Sequence, residues 1–134
     1  MITDQQIEQE IIAKGLTAPR VTPDSIESKI SAEYCFTADK ATAGCPQVDG
    51  LNLLTFCILV LENGFMVTGE SACASPENFD AEIGRKIARQ NAIAKIWPLE
   101  GYVLRNKLSK SDDMPNIETT QTFTDADALA QLNS

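Results

Sequence analysis

The stretch of residues 63–104 constrains the fold of this chain most, because a hairpin turn, a strand and a long helix follow one another within it. Asn63 and Gly64 lie between two apolar runs, a pattern typical of a two-residue β-hairpin turn that pairs the flanking strands antiparallel. Residues 51–61 and 65–71 are therefore predicted to form two neighbouring antiparallel strands.

A long helix is predicted over residues 76–97. Ser75 suits the N-cap position, Pro76 suits the first helical position, and acidic residues of the first turn complement the helix dipole. Pro98 is expected to end or bend the helix because it has no backbone N–H. Helical spacing predicts that the core face consists of Phe79, Ile83, Ile87, Ala94 and Trp97, flanked by Ile93. The opposite, charged face is predicted to consist of Glu82, Arg85 and Arg89.

The strand predicted at residues 51–61 is apolar on both of its faces. Within residues 53–61, Thr55 is the one polar residue among two alternating apolar sets, Leu54, Phe56, Ile58 and Val60 against Leu53, Cys57, Leu59 and Leu61. A strand of this kind is covered on both faces. The long helix is expected to cover one face, and either the N-terminal helices or a second copy of the chain is expected to cover the other.

The N-terminal part carries two further helix starts. Thr3 with Gln6 forms a capping-box pattern, and Gly15 is a suitable stop for that helix. Thr22 is expected to cap a second, short helix. Residues 32–38 are predicted to form the first strand, and the turn-forming residues 39–50 a loop.

Together these elements predict an α+β fold in the order α-α-β-β-β-α. It has N-terminal helices, a three-stranded antiparallel sheet and a long C-terminal helix packed on one sheet face. The predicted organisation is an N-terminal helical segment over residues 1–31, an α+β core over residues 32–108 and an acidic, flexible tail over residues 109–134, with a marginal helix at residues 126–132.

The charge and hydropathy of the chain exclude several classes of function. The net charge is −8, half of it in residues 109–134, which disfavours nucleic-acid binding because that binding requires Lys and Arg against phosphates. No apolar run approaches the roughly 20 residues of a membrane span, and the N-terminus is acidic and polar, unlike a signal peptide. A cytoplasmic location without membrane contact is therefore expected.

The cysteine spacing and the lack of histidine argue against catalysis and metal binding. Cys35, Cys45, Cys57 and Cys73 form no close pair of the kind that zinc sites use, and the chain has no histidine. Catalysis by Ser-His-Asp or Cys-His groups is excluded. We therefore expect a protein that is not an enzyme and has no cofactor or metal, with reduced thiols and Cys57 in the core.

Two segments resemble a known family. They are KGLTAPRVTPDSIESKI at residues 14–30 and LTFCILVLENGFMVTGESACASPENFDAEIGRKIARQNAIAKIWPLEGYVL at residues 54–104. Both are similar to the small tailed-phage proteins named after gene product 49 of one coliphage and gene 66 of a Shigella phage. The resemblance implies an accessory phage or prophage product inside a bacterial host, and it brings no catalytic residues.

A second resemblance concerns fold order. The passage from strand to helix, GES…SPENFDAEIGRKIARQNAIAKIW, resembles the last strand and helix of the double-stranded-RNA-binding domain. Such domains hold phosphates with lysines at the start of that helix. Here Glu77, Asp80 and Glu82 occupy this position, so nucleic-acid binding is not expected even if the fold is shared.

Seven residues are candidates for contact with a ligand or partner. Three bases on the long helix, Arg85, Arg89 and Lys95, suggest an anion site. Glu70 at a strand end and the amide of Asn78 suggest a polar pocket. Trp97 and Tyr102, which flank a proline, suggest an exposed aromatic contact. A solvated helix face with local ion pairs, a plain strand end and an aromatic that closes the core are the alternative interpretations.

The favoured hypothesis is a non-enzymatic phage or prophage accessory protein that binds a host or phage protein in the bacterial cytoplasm. It is expected to be a homo-oligomer. One alternative is an oligomer that sequesters a small anionic, nucleotide-like signal between protomers. The other is a nucleic-acid module related to double-stranded-RNA-binding domains.

Overall fold

The computed structural model describes residues 2–16 and 18–110. The predicted flexible tail and its marginal helix lie outside these residues, apart from Ser109 and Lys110. The chain divides into two compact units, Met1–Gly101 and Tyr102–Ser134, and the sheet, core and grooves described below belong to the first. The predicted three-part organisation stays a prediction.

The two N-terminal helices begin where their capping residues predict. Helix α1 spans Asp4–Ala13, and the Thr3 side chain accepts a hydrogen bond from the backbone N–H of Gln6 in a complete capping box. Helix α2 spans Pro23–Ser28 and is capped in the same way by Thr22. These caps satisfy backbone donors that the first turn of a helix leaves free, so both predicted starts are confirmed.

Three strands form one antiparallel sheet in the order β1-β2-β3. Strand β1 spans Ile30–Thr37, β2 spans Leu54–Leu61 and β3 spans Met66–Ala72. The predicted hairpin turn joins β2 to β3. Gly64 has φ 91°, and the Asn63 side chain accepts a hydrogen bond from the backbone N–H of Phe65. Glycine adopts this left-handed conformation without strain, which explains the Asn-Gly signal.

The segment between β1 and β2 is more regular than the predicted loop. It begins with a short helix, α3, at Ala38–Ala41 and ends with a 3₁₀ turn at Leu51–Leu53. The prediction that β2 starts at residue 51 is therefore wrong. The N–H of Leu53 donates to the carbonyl of Gly50 at 2.9 Å, and this local bond takes residues 51–53 out of the strand.

The long helix, α4, spans Ala81–Ser109, so its predicted start is wrong by several residues. Pro76–Asn78 instead forms a separate 3₁₀ turn in which Ser75 makes no side-chain capping bond. Asp80 takes the capping role, because its Oδ1 accepts a hydrogen bond from the N–H of Ile83 at 3.0 Å.

Pro98 lies inside α4, so of the two predicted effects, an end or a bend of the helix, the end is wrong. A proline ring removes one intrahelical hydrogen bond, that to the carbonyl four residues earlier. Both Pro98 and Ala94 are exposed, so water can hydrate the carbonyl that loses its partner. The helix therefore continues at a local energetic cost.

The face that α4 buries is also different from the predicted one. Its buried residues are small and spaced four apart: Gly84, Ala88, Ala92 and Ile96. Ile83 and Ile87, placed in the core by the prediction, are 56% and 42% exposed. A Cβ atom at Gly69 of β3 would lie 2.2 Å from the carbonyl oxygen of Ala88, so helix and sheet backbones touch and larger side chains do not fit between them.

Residues from α2, β2, β3 and α4 build the core on one face of the sheet. They are Ile26, Cys57, Leu59, Leu61, Val67, Ala88, Ala92 and Ile96. The predicted α+β fold and its order α-α-β-β-β-α are confirmed, with α3 as an addition. Since α2 packs on the same face as α4, it does not cover the opposite face, and of the two predicted covers a second copy of the chain stays a prediction.

Candidate functional site

The seven predicted contact residues are spread over several elements. Glu70 lies on β3, Asn78 in the 3₁₀ turn before α4, and the others on α4 itself. Trp97 is half-buried against the core, and Tyr102, which belongs to the second unit, is 69% exposed. Their roles in binding stay predictions.

Arg89 is occupied by two carboxylates from other elements. Its two terminal nitrogens donate to both carboxylate oxygens of Glu27 on α2 at 2.8 and 2.9 Å, and its Nε donates to Glu33 on β1 at 2.8 Å. The hydrogen bonds with Glu27 and then Glu33 raise the pKa of Arg89, and those from Arg89 lower the pKa of Glu27. Arg89 thus links α4 to α2 and β1 and carries little free positive charge toward a ligand.

A groove separates the N-terminal helices from α4. Its volume is ≈ 360 Å³, and Pro23, Ile26, Ile93 and Trp97 form its apolar part. A second groove of ≈ 260 Å³ lies beside Trp97 under α1. Trp97 borders both, so this aromatic lies where a small apolar group could enter between the helices.

The opposite face of the sheet is a larger apolar surface, which we call the open face. The register of the three strands directs eleven side chains to it: Ala32, Tyr34 and Phe36 of β1, Leu54, Phe56, Ile58 and Val60 of β2, and Met66, Thr68, Glu70 and Ala72 of β3. Tyr34 and Met66 are 58% and 60% exposed, whereas β2 itself alternates between fully and partly buried residues. Among residues 2–16 and 18–110, then, the cover over β2 is more complete on the face of Cys57 and Leu59 than on the open face.

Aromatic and sulfur-containing side chains give the open face its character. The rings of Phe36 and Phe56 stack with their centroids 5.6 Å apart. Glu70 is the one charged side chain among the eleven, and it lies on an edge strand. Protein interfaces are enriched in aromatic residues and methionine and depleted of charge at their centres, which is the composition seen here.

One group of side chains was missed by the sequence reasoning. A carboxylate oxygen of Glu33 and the Sγ atoms of Cys35 and Cys57 lie within 4.8 Å of one another. We call these residues the thiol cluster. Spacing along the chain gives no signal of it, because 21 residues separate the two cysteines and only the pairing of β1 with β2 brings them together. Cys57 lies in the core as predicted, and burial raises the pKa of its thiol to about 12.

Comparison with known proteins identifies the family of the chain. The phage protein (N4 Gp49/phage Sf6 gene 66) family matches residues 21–108, which run from just before α2 almost to the end of α4. Neither a curated protein nor a solved structure gives a match. None of the helices in the described part of the chain has the length and apolar character needed to cross a membrane. Because the matched range contains the whole sheet and more than half of the sequence, the chain belongs to the phage protein family of N4 Gp49 and phage Sf6 gene 66.

Proposed function

We propose that this phage protein is a non-enzymatic accessory protein that acts in the bacterial host by binding another protein, and that the open face is its contact surface. The observation that carries the proposal is a three-stranded sheet with one face under α2 and α4 and an opposite apolar face on which Tyr34 and Met66 are 58% and 60% exposed. An exposed apolar patch of this kind typically marks an interaction site.

The size of the open face fits the centre of a protein interface. Three strands about 4.8 Å apart and seven residues long give a plane of roughly 14 by 23 Å, or about 330 Å². A stable interface buries about 800 Å² per partner, of which the apolar centre is surrounded by a polar rim. The open face would supply that centre, and the partner would present an uncharged apolar surface of a strand pair or an amphipathic helix.

Charge argues against the two alternative functions. An anion site on α4 would need free cations, and Arg89 is already held by Glu27 and Glu33. A nucleic-acid contact at the start of α4 would bring phosphates to Asp80 and Glu82 of a chain with a net charge of −8. A protein partner with an apolar contact meets neither obstacle.

The experiment compares lysine substitutions on two surfaces. Tyr34→Lys with Met66→Lys charges the open face, and Ile83→Lys with Ile87→Lys charges exposed apolar residues of α4 as a matched control. Each tagged protein would be crosslinked in phage-infected bacteria, and a captured partner would then be purified and titrated. We expect the open-face variant to lose at least tenfold in affinity and the control to bind as the wild type does.

Two results would contradict the proposal. Equal loss of affinity in both variants would show that the open face has no special role, and unchanged affinity in the open-face variant would move the contact elsewhere. Light scattering on the purified proteins separates a second copy from a different partner. A dimer that the open-face variant breaks, with no other protein captured, would identify the second copy as the occupant.

A further inference from the structure

The thiol cluster has the composition of a metal-binding site. We propose that Glu33, Cys35 and Cys57 bind one thiophilic divalent cation, for which Zn²⁺ and Cd²⁺ are the test ions. Two sulfur ligands and one carboxylate oxygen form a donor set that zinc accepts, with water in the fourth position. This site lies on the covered face of the sheet, so it is independent of the function proposed for the open face.

The pairing of β1 with β2 brings the three ligands together. Cys35 lies directly opposite Cys57 in the register, and Glu33, two residues earlier on β1, points to the same face. The N–H of Leu61 donates to the carbonyl of Phe65 across the hairpin, so odd-numbered residues of β2 direct their backbone groups toward β3. The two cysteines therefore form a non-hydrogen-bonded pair, the closer of the two antiparallel arrangements.

The distances suit a metal ion after small movements of side chains. With metal–sulfur bonds of about 2.3 Å and metal–oxygen bonds of about 2.1 Å, tetrahedral ligand atoms lie about 3.5–3.8 Å apart. The three ligand atoms already lie within 4.8 Å of one another. Each pair therefore needs to approach by about 1 Å at most, which rotation of exposed Glu33 and half-buried Cys35 can supply.

Arg89 already orients the carboxylate in the required way. Its Nε holds Oε1 of Glu33 at 2.8 Å, and the other oxygen, Oε2, faces the Sγ of Cys35 at 3.9 Å. Arg89 is fixed in turn by its paired hydrogen bonds with Glu27. Support of a metal ligand by an outer hydrogen-bond partner is a general feature of protein metal sites.

Binding of a divalent cation leaves the net charge of the site unchanged. A divalent cation displaces one proton from each thiol, so two thiols and a dication become a dithiolate complex and two released protons. The net charge of the cluster with Glu27 and Arg89 is therefore the same before and after binding. No uncompensated charge is added next to the core, where it would be costly.

The test uses the full-length protein, freed of metal and kept reduced by a phosphine. Cd²⁺ is titrated and the thiolate-to-metal charge-transfer absorption is recorded, while native mass spectrometry counts bound ions. We expect one ion per chain. Cys35→Ser is expected to lower the affinity at least a hundredfold, and Glu33→Gln about tenfold. Cys45→Ser, at an exposed thiol outside the cluster, is the matched control and is expected to bind as the wild type does.

Three results would overturn the proposal. They are absence of Cd²⁺ and Zn²⁺ binding by the reduced protein, loss of binding in Cys45→Ser, and retention of full affinity in Cys35→Ser. Cys57 is fully buried, so Cys57→Ser is interpreted only if its circular dichroism matches the wild type. The Cys35→Ser result decides in either case, because that thiol is only partly buried.

Discussion

Replacement of Gly69 by alanine tests the close contact between α4 and the sheet. The added Cβ would lie 2.2 Å from the carbonyl oxygen of Ala88 and 2.3 Å from the backbone nitrogen of Ala92. Both atoms belong to the main chain of α4, so no side-chain rotation can make room. The helix has to withdraw from β3 by about 1 Å to restore an ordinary contact of about 3.4 Å.

The expected cost follows from this displacement. Overpacking of a core typically costs about 1–3 kcal/mol, and here the whole buried face of α4 loses contact with the sheet. Alanine also restricts the unfolded chain, which returns about 0.4–1 kcal/mol. We therefore expect Gly69→Ala to lower the free energy of unfolding by about 1–2 kcal/mol. The midpoint of urea denaturation should fall by about 1 M for a protein of this size.

The same substitution at Gly101 is the matched control. No atom lies within 4 Å of a Cβ built there, and the residue is inside α4. Gly101→Ala should therefore raise the free energy of unfolding by up to about 1 kcal/mol through helix propensity. If Gly69→Ala unfolded within about 0.5 kcal/mol of the wild type, the backbone contact between α4 and β3 would not exist in solution.

The other predictions concern single side chains and are measured by urea denaturation. Arg89→Ala should lower the free energy of unfolding by about 1–2 kcal/mol because two carboxylates lose their partner. The control variant Arg85→Ala should change the free energy of unfolding by less than about 0.5 kcal/mol. Equal effects of the two substitutions would contradict a structural role for Arg89. Arg89 holds the pKa of Glu27 below its ordinary value of 4.5, so the stabilisation by this ion pair is present above pH 4.5 and is lost as the pH falls through the lower folded-state pKa. Arg89→Ala should therefore weaken the dependence of the free energy of unfolding on pH in the acid range. An unchanged pH dependence would refute the link between this ion pair and acid stability. Pro98→Ala should stabilise the protein by about 1–2 kcal/mol by restoring a helical hydrogen bond, and a loss of stability would mean that the helix is broken there in solution. Thr55→Val should stabilise by about 1 kcal/mol, since the buried hydroxyl has no hydrogen-bond partner in the described part of the chain; destabilisation would reveal an unseen partner.

Local signals in the sequence predicted the elements that local bonds determine. Thr3 and Thr22 cap their helices through bonds that reach three residues, and Asn63 with Gly64 closes a turn of the same length. Such bonds depend on neighbouring residue types alone, so a single sequence contains the information. The fold class followed from the order of these elements.

The buried face of α4 was beyond that reasoning because a distant residue decides it. Hydropathy ranks Ile83 and Ile87 above Gly84 and Ala88, and the prediction followed hydropathy. The helix instead buries its small residues, because only small side chains allow the backbone of α4 to contact Gly69 of β3. The thiol cluster was not predicted for a similar reason, because its residues come together only when β1 pairs with β2.

The close approach of α4 also explains why an apolar surface remains open. The helix and α2 together cover the face of β2 that contains Cys57 and Leu59. A strand with one face in water normally alternates between apolar and polar residues. On its open face β2 instead carries Leu54, Phe56, Ile58 and Val60. These four side chains are only partly buried within the described residues, and burial of the open face in a complex accounts for their apolar character.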